Sequence, residues 1–261
     1  MKIIVLLKMV PDVVEELEVG ADGKALDTEF LRMIANELDN HAVEEALLLK
    51  ERYSGTVTVV ALDAPEVDDA LFTALAKGAD RALKVADGDG TLGTMAGAYR
   101  LAQALATVPG LLPADLILTG AQAIDDLDGM TAPLLAHYLQ LPQLGIVTQV
   151  NLDAASGIAT VLREFPGGVR GEYEIKLPAV LGIQAAEKPP RYVPVSKVRA
   201  AMKSQAIESV SLPTAADGGA GFSPVEEMIK PEVSEHAQML EGSPEEIADQ
   251  ICEVLAGRGL L

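Results

Sequence analysis

Over the first 150 residues, short apolar runs alternate with helical repeats, and this alternation constrains the fold more than any single motif. Residues 3–7 (IIVLL) form an unbroken apolar run, the pattern of a strand buried on both faces. In residues 40–55, Val43, Ala46 and Leu47 recur at helical spacing, basic residues gather late, and Gly55 marks the end. Residues 56–62 (TVTVVAL) read as a β-branched strand. Residues 66–78 read as a helix with Leu71 and Leu75 on one face and Gly78 as its C-cap. A strand over 81–87, a helix over 91–108 and a strand over 115–120 follow, then a helix ending at Leu139 and a fifth strand over 144–150. Strands that alternate with helices imply a parallel sheet with right-handed crossovers. The expected fold class is therefore α/β, a doubly wound, mostly parallel sheet. Ligands of such sheets bind beyond the carboxyl ends of the strands, where the strand order reverses.

The pattern changes after Val150. Residues 147–183 contain short strands split by "AASG" and "PGG", a meander signature, expected as antiparallel strands added to the sheet or folded against it. From Gln184 to Phe222 helix and strand signals fade. The prolines of "EKPPRYVPVSKV" favour an extended, ordered loop, and "TAADGGAG" reads as a linker. The tail ends in a helix with Ser243 as N-cap, Pro244 at its first position, Glu246 three residues on and Gly257 after the last turn. A capped helix after a long irregular stretch must dock to be stable, and its target is expected on another subunit. The domain expectation is a nucleotide-type domain over 1–184, a loop and linker over 185–222, and a C-terminal extension over 223–261.

With 261 residues and 49% hydrophobic content the chain can bury a full core, and its net charge of −19 argues against nucleic acid or an anionic membrane as partner. That charge reads first as solubility, with an acidic docking face for basic partners as the alternative. Cys252 is the only cysteine, so no internal disulfide forms and a reducing compartment is expected. Lying among Ile251 and Val254 on the terminal helix, it reads as a packed, inert thiol. The N-terminal apolar run is too short for a signal peptide or a membrane span, so the expectation is a cytoplasmic protein that is not integral to a membrane.

Candidate chemistry centres on "LTGAQAIDDLDGMTAPLLAHYL", residues 118–139. An anion is the usual guest at a strand-to-helix turn, because free N–H groups and the helix dipole point there. Yet the loop carries Asp125, Asp126 and Asp128 and no base. No P-loop string appears. Gly88 and Gly90 approach a dinucleotide fingerprint but lack its third glycine. His41, His137 and His236 show no metal-ligand spacing, and His41 and His137 read as structural. No nucleophile, base and orienter come together, which argues against a hydrolase or transferase.

Three segments, "NELDNHAVEEALLLKE", "LTGAQAIDD" and "KLPAVLGIQAAEKPPRY", resemble the electron transfer flavoprotein beta subunit in this order and spacing. The likeness runs over essentially the whole chain and is weak between Val13 and Met33. It implies a Rossmann-like fold and a non-catalytic electron-carrier subunit, paired with an alpha subunit that holds the redox-active FAD. One adenine nucleotide, usually AMP, is implied on this chain. Electrons are implied to pass from acyl-CoA-type or related flavin dehydrogenases to a membrane quinone reductase or another acceptor oxidoreductase. A bifurcating subunit with a second FAD, or a nucleotide-binding sensor or hydrolase domain, remains as an alternative.

Carried over by position, the nucleotide contacts are Leu6, Asn36, Glu37, Leu38, Asp39 and Asp63, then Gly120, Ala121, Gln122, Ala123, Ile124 and Asp125, and on through Asp126, Leu127, Asp128, Gly129, Met130 and Thr131. In physical terms, Gly120 is expected to admit a ligand to the backbone. Thr131 offers a hydroxyl at a helix start, Asp126 accepts from a ribose or anchors the loop, and Asp125 and Asp128 shape the turn. Gly129-Met130-Thr131 departs from the Asn-Gln-Thr of AMP-binding members, and the Asp-Gly-Asp-Thr run of bifurcating members is absent; Thr131 favours AMP. The resemblance also implies a partner-recognition loop with Arg191, Tyr192 and Val198 around an apolar anchor at Val195. Glu164 is implied to limit the lifetime of the docked complex, and "KVRAAMK" supplies positive charge for docking.

Overall fold

The computed structural model describes residues 1–86, 92–153, 155–212, 225–231, 237 and 239–261. The first strand, β1 (Lys2–Leu7), lies near the middle of a large sheet. A small antiparallel pair, β2 (Met9–Pro11) and β3 (Met33–Ala35), precedes helix α1 (Glu37–Tyr53). The chain then runs through β4 (Thr56–Leu62), α2 (Val67–Lys77), β5 (Arg81–Val85), α3 (Thr94–Thr107), β6 (Leu116–Gly120) and α4 (Thr131–Leu139). Next come β7 (Gln143–Asp153), β8 (Ile158–Phe165), β9 (Val169–Lys176) and β10 (Ala179–Ile183). Last are α5 (Val195–Ser204), β11 (Ile207–Val210) and α6 (Pro244–Gly257). The sheet order is β11-β5-β4-β1-β6-β10-β7-β8-β9, parallel from β11 to β7 and antiparallel beyond it.

The apolar run of β1 feeds both sides of the sheet, as strand pleating requires. Ile3, Val5 and Leu7 join one core with residues of α1, α2 and α5; Ile4 and Leu6 join the other with residues of α3 and α4. Each fully buried Ile or Leu contributes roughly 1.5–3 kcal/mol, so this doubly covered strand anchors the domain. From β1 the chain builds outward through β4 and β5, then returns to place β6 on the other side of β1. The strand order therefore reverses between β1 and β6.

Several expectations change. Residues 179–183 do not close an antiparallel meander: β10 lies parallel between β6 and β7, and all five of its residues are buried. A run with no polar alternation suits an interior parallel strand. The meander itself is β7, β8 and β9, and β7 is kinked at Ile146, where φ is 60°. After Gln184 the proline stretch is extended as expected, but Val195–Ser204 is a helix and Ile207–Val210 pairs with β5 at the sheet edge. Both were faint in the sequence because α5 buries only Ala201 and β11 has four residues on an edge.

In α6, Ser243 and Glu246 form the expected capping box, yet the helix has no buried residue. Cys252 is accordingly exposed rather than packed, since no described part of this chain covers the helix. Gly257 is the last helical residue and Arg258 the C-cap. Gly88, Gly90, His236 and the "TAADGGAG" stretch lie outside the described residues. Among the described residues no helix is long and apolar enough to cross a membrane.

Candidate functional site

The reversal between β1 and β6 is closed by one carboxylate. Asp39, in the first turn of α1, is buried, and its two oxygens accept from the Lys8 N–H at 2.8 Å and the Gly120 N–H at 2.6 Å. It thereby ties the ends of both strands to the start of the helix. Burial pushes its pKa up to about 6, against the opposing pull of those N–H groups. Gly120 is required here for a reason other than ligand access. A Cβ would sit 2.5 Å from Asp39 Oδ1 and 2.9 Å from Leu38 Cβ, so the close approach is by α1 itself. Asn36 fastens the same corner by donating to the Gln122 carbonyl at 3.0 Å.

The acidic loop finds its missing base at the other end of the chain. Lys8 Nζ, just beyond β1, lies 2.8 Å from Asp125 and 2.7 Å from Asp126. Burial acts to lower the lysine pKa, but hydrogen bonds and charge from the two aspartates outweigh it and leave the pKa raised. Asp126 also accepts from the Thr94 hydroxyl at 3.2 Å and from the Asp128 N–H at 3.3 Å; Asp128 accepts from the Met130 N–H at 2.8 Å. Asp126 and Asp128 thus hold the turn, Asp125 and Asp126 both pair with Lys8 just beyond β1, and the loop is less repulsive to an anion than its sequence alone indicates. Gly129 has φ of 62°, a left-handed backbone suited to glycine, and a Cβ there would come 3.1 Å from the Ala121 carbonyl.

Beside this corner opens a cleft. Leu6, Leu62, Ala98 and Leu101 give it apolar walls; Asn36, Asp39, Asp63, Thr94 and Thr131 supply polar groups. Besides the first turn of α1, the starts of α3 and α4 border it. The first intrahelical bonds are Gly97 N–H to Gly93 O in α3 and Leu134 N–H to Met130 O in α4, so the earlier N–H groups of each helix have no partner within their own helix. Of the sequence-expected residues, Leu6, Asn36, Asp39, Asp63, Gly120, Gln122, Ala123 and Thr131 line the cleft. Ile124, Leu127 and Met130 are exposed, and Glu37, Leu38, Ala121, Asp125, Asp126, Asp128 and Gly129 do not line it. Sequence reasoning missed Lys8, Leu62, Gly93, Thr94, Gly97, Ala98 and Leu101. The signal for Lys8 was available: an acidic loop at a parallel sheet's carboxyl end calls for a base at the end of the neighbouring strand.

A model of the electron transfer flavoprotein domain matches residues 25–215. A beta subunit from Methylophilus methylotrophus is 34% identical over 98% of both chains. The chain belongs to the electron transfer flavoprotein family, among its beta subunits. A beta subunit from Syntrophomonas wolfei is 36% identical over 78% of this chain and 77% of its own, and a mitochondrial one from Arabidopsis thaliana is 32% identical over 81% and 82%. In this beta-type chain, the residues expected for partner recognition fall into two groups. Tyr192 is 84% exposed and Val195, opening α5, is 62% exposed, while Val198 is half-buried. Arg191 instead forms a fork on the buried Glu44 and reaches Glu51 at 2.7 Å, and these hydrogen bonds hold its pKa above the ordinary arginine value. Glu164 pairs with Arg170 at 3.1 Å on the β8–β9 hairpin. His41 serves the fold, its Nδ1 accepting from the Ala186 N–H at 3.1 Å, and His137 stacks edge-on against Tyr138. Among the described residues no group of His, Cys, Asp or Glu is arranged to hold a metal.

Proposed function

We propose that this beta subunit pairs with an FAD-carrying alpha subunit and that the heterodimer carries electrons from acyl-CoA-type or related flavin dehydrogenases to an acceptor such as a membrane quinone reductase. AMP is held in the cleft of this chain as a structural ligand. The observation that carries the reading is the cleft at the strand-order reversal, whose lining combines apolar walls with the starts of α3 and α4. A flat adenine ring calls for walls such as Leu6, Leu62 and Leu101, and a phosphate for free N–H groups such as those of Thr131 and Ala132. Pro133 removes the next donor, so the start of α4 favours one phosphate over a chain of them. Thr131 adds a hydroxyl, and Lys8 offsets part of the charge of Asp125 and Asp126 beside the site.

FAD on the partner supplies the electron exchange; this chain binds, orients and excludes water. In this reading residues 1–184 hold the nucleotide, residues 185–222 dock the dehydrogenase through Tyr192 and Val195, and residues 223–261 lie on the alpha subunit. The unburied α6 supports the last point, because its apolar Ile251 and Val254 face outward. Extraction of the purified heterodimer and chromatography of its nucleotides tests the reading. One AMP and one FAD per heterodimer are expected. Two FAD would establish a bifurcating subunit, and ATP would point to a sensor or hydrolase.

A further inference from the structure

The segment between β10 and α5 should collapse or fray on ordinary grounds. None of residues 185–194 is buried, so apolar packing does not hold it, and no strand or helix includes it. The Ala185 N–H reaches the Val147 carbonyl of β7, and three further backbone N–H groups are collected by one face of α1. Ala186 donates to His41, Glu187 donates to Glu45 Oε2 at 3.0 Å, and Arg191 donates to Glu44 Oε2 at 2.9 Å. The Arg191 guanidinium grips Glu44 again through Nε and Nη2, and Arg52 of α1 pairs with the Glu187 carboxylate. Glu44 is 3% and Glu45 1% exposed. Burying a carboxylate is costly unless it is paired and hydrogen-bonded, and both are partnered by this segment.

We infer that Glu44 and Glu45 are positioning residues for the docking surface: they fix residues 186–191 on α1 so that Tyr192 and Val195 stand outward in one geometry. The inference rests on the docking reading above and adds to it the groups that preorganise the loop. Pro189, Pro190 and Pro194 limit the backbone from within, and the carboxylates of α1 limit it from outside. A loop ordered before encounter loses less freedom on binding, which favours a transient but specific contact.

The test uses the heterodimer with a purified acyl-CoA dehydrogenase as electron donor. Glu44→Gln removes the charge that holds Arg191 while keeping the side chain's size. Hydrogen exchange of the 186–192 amides should accelerate at least ten-fold with exchange in β1 and β4 unchanged. The apparent KM for the dehydrogenase should rise about ten-fold with kcat within two-fold. The double variant Glu44→Gln/Val195→Ala should be no worse than the more damaging single variant, because a mispositioned anchor has little left to lose. Faster exchange with an unchanged KM overturns the inference, and so does a double variant whose KM is the product of the two singles. If Val195→Ala alone leaves KM unchanged, the docking reading itself falls. Should Glu44→Gln fail to fold, Glu45→Gln, which weakens the Glu187 tie and leaves the Arg191 grip on Glu44 in place, takes its place: the same rise in exchange and KM supports the inference, and faster exchange with an unchanged KM overturns it.

Discussion

The sheet body and the C-terminal helix are built on opposite principles. In β1 every residue from Ile3 to Leu7 is at most 5% exposed, with core on both sides. In α6 no residue is buried, although its capping box is complete and Ile251 and Val254 are apolar. The body has its partners within the chain; among the described residues the helix has only local bonds. A helix of this length is marginal in water without packing, so local signals alone explain its cap and not its persistence. The contrast teaches that one sequence can specify a self-sufficient core and, separately, a well-capped helix that the described part of its own chain leaves uncovered.

Stability measurements can break or sharpen this contrast. The largest loss is expected for Gly120→Val, which drives a branched side chain into Asp39, Leu38 and Asn36. Overpacking of this kind costs about 3 kcal/mol, and urea unfolding of the full chain should show it. A midpoint that does not move would mean that the corner relaxes freely and that the body is less tightly specified than its packing indicates.

Asp39→Asn comes next. An amide oxygen accepts from one of the two N–H groups and leaves the other buried without a partner, a cost of about 1–3 kcal/mol at neutral pH. The variant also changes the pH profile. Asp39 titrates near 6 in the folded state against an ordinary 3.8, so between those values the folded protein holds the extra proton. Its contribution to stability is therefore full below about pH 4, declines as pH rises through about 6, and is flat above that. Unfolding free energies measured from pH 4 to 7 should show this decline in the wild type relative to Asp39→Asn, by about 3 kcal/mol in total. Parallel profiles would assign the carboxylate an ordinary pKa.

Thr131→Val should matter less. The threonine hydroxyl has no described hydrogen bond within the chain, so nucleotide-free stability should barely change. Stability with AMP present should fall by about 0.5–1.5 kcal/mol, the worth of one ordinary hydrogen bond. Thermal melts with and without AMP separate the two effects; equal shifts in both would remove Thr131 from the nucleotide site. The smallest effect on the body is expected from deleting residues 243–261. Its urea midpoint should stay within error of the full chain, while co-purification with the alpha subunit weakens. Loss of body stability on deletion would erase the contrast between the self-sufficient sheet and the uncovered helix.

Sequence alone determined the elements whose physics is local or periodic. The β1 run, the α2 stop at Gly78, the α6 capping box and the extended proline stretch could each be read because a few adjacent residues decide them. The site was legible in part for the same reason: Gly120 and Thr131 flank a strand-to-helix turn, and such turns are where parallel sheets bind. Only the tertiary structure decided which distant groups meet. Lys8 pairs with two aspartates of a loop more than a hundred residues away, Asp39 joins two strands from the start of a helix, and Arg191 turns inward to Glu44 while Tyr192 next to it turns out. The placement of β10 between β6 and β7 belongs with these. No period or cap signal encodes such pairings, because their energy lies in contacts between segments far apart in sequence and exists only once the sheet has brought them together.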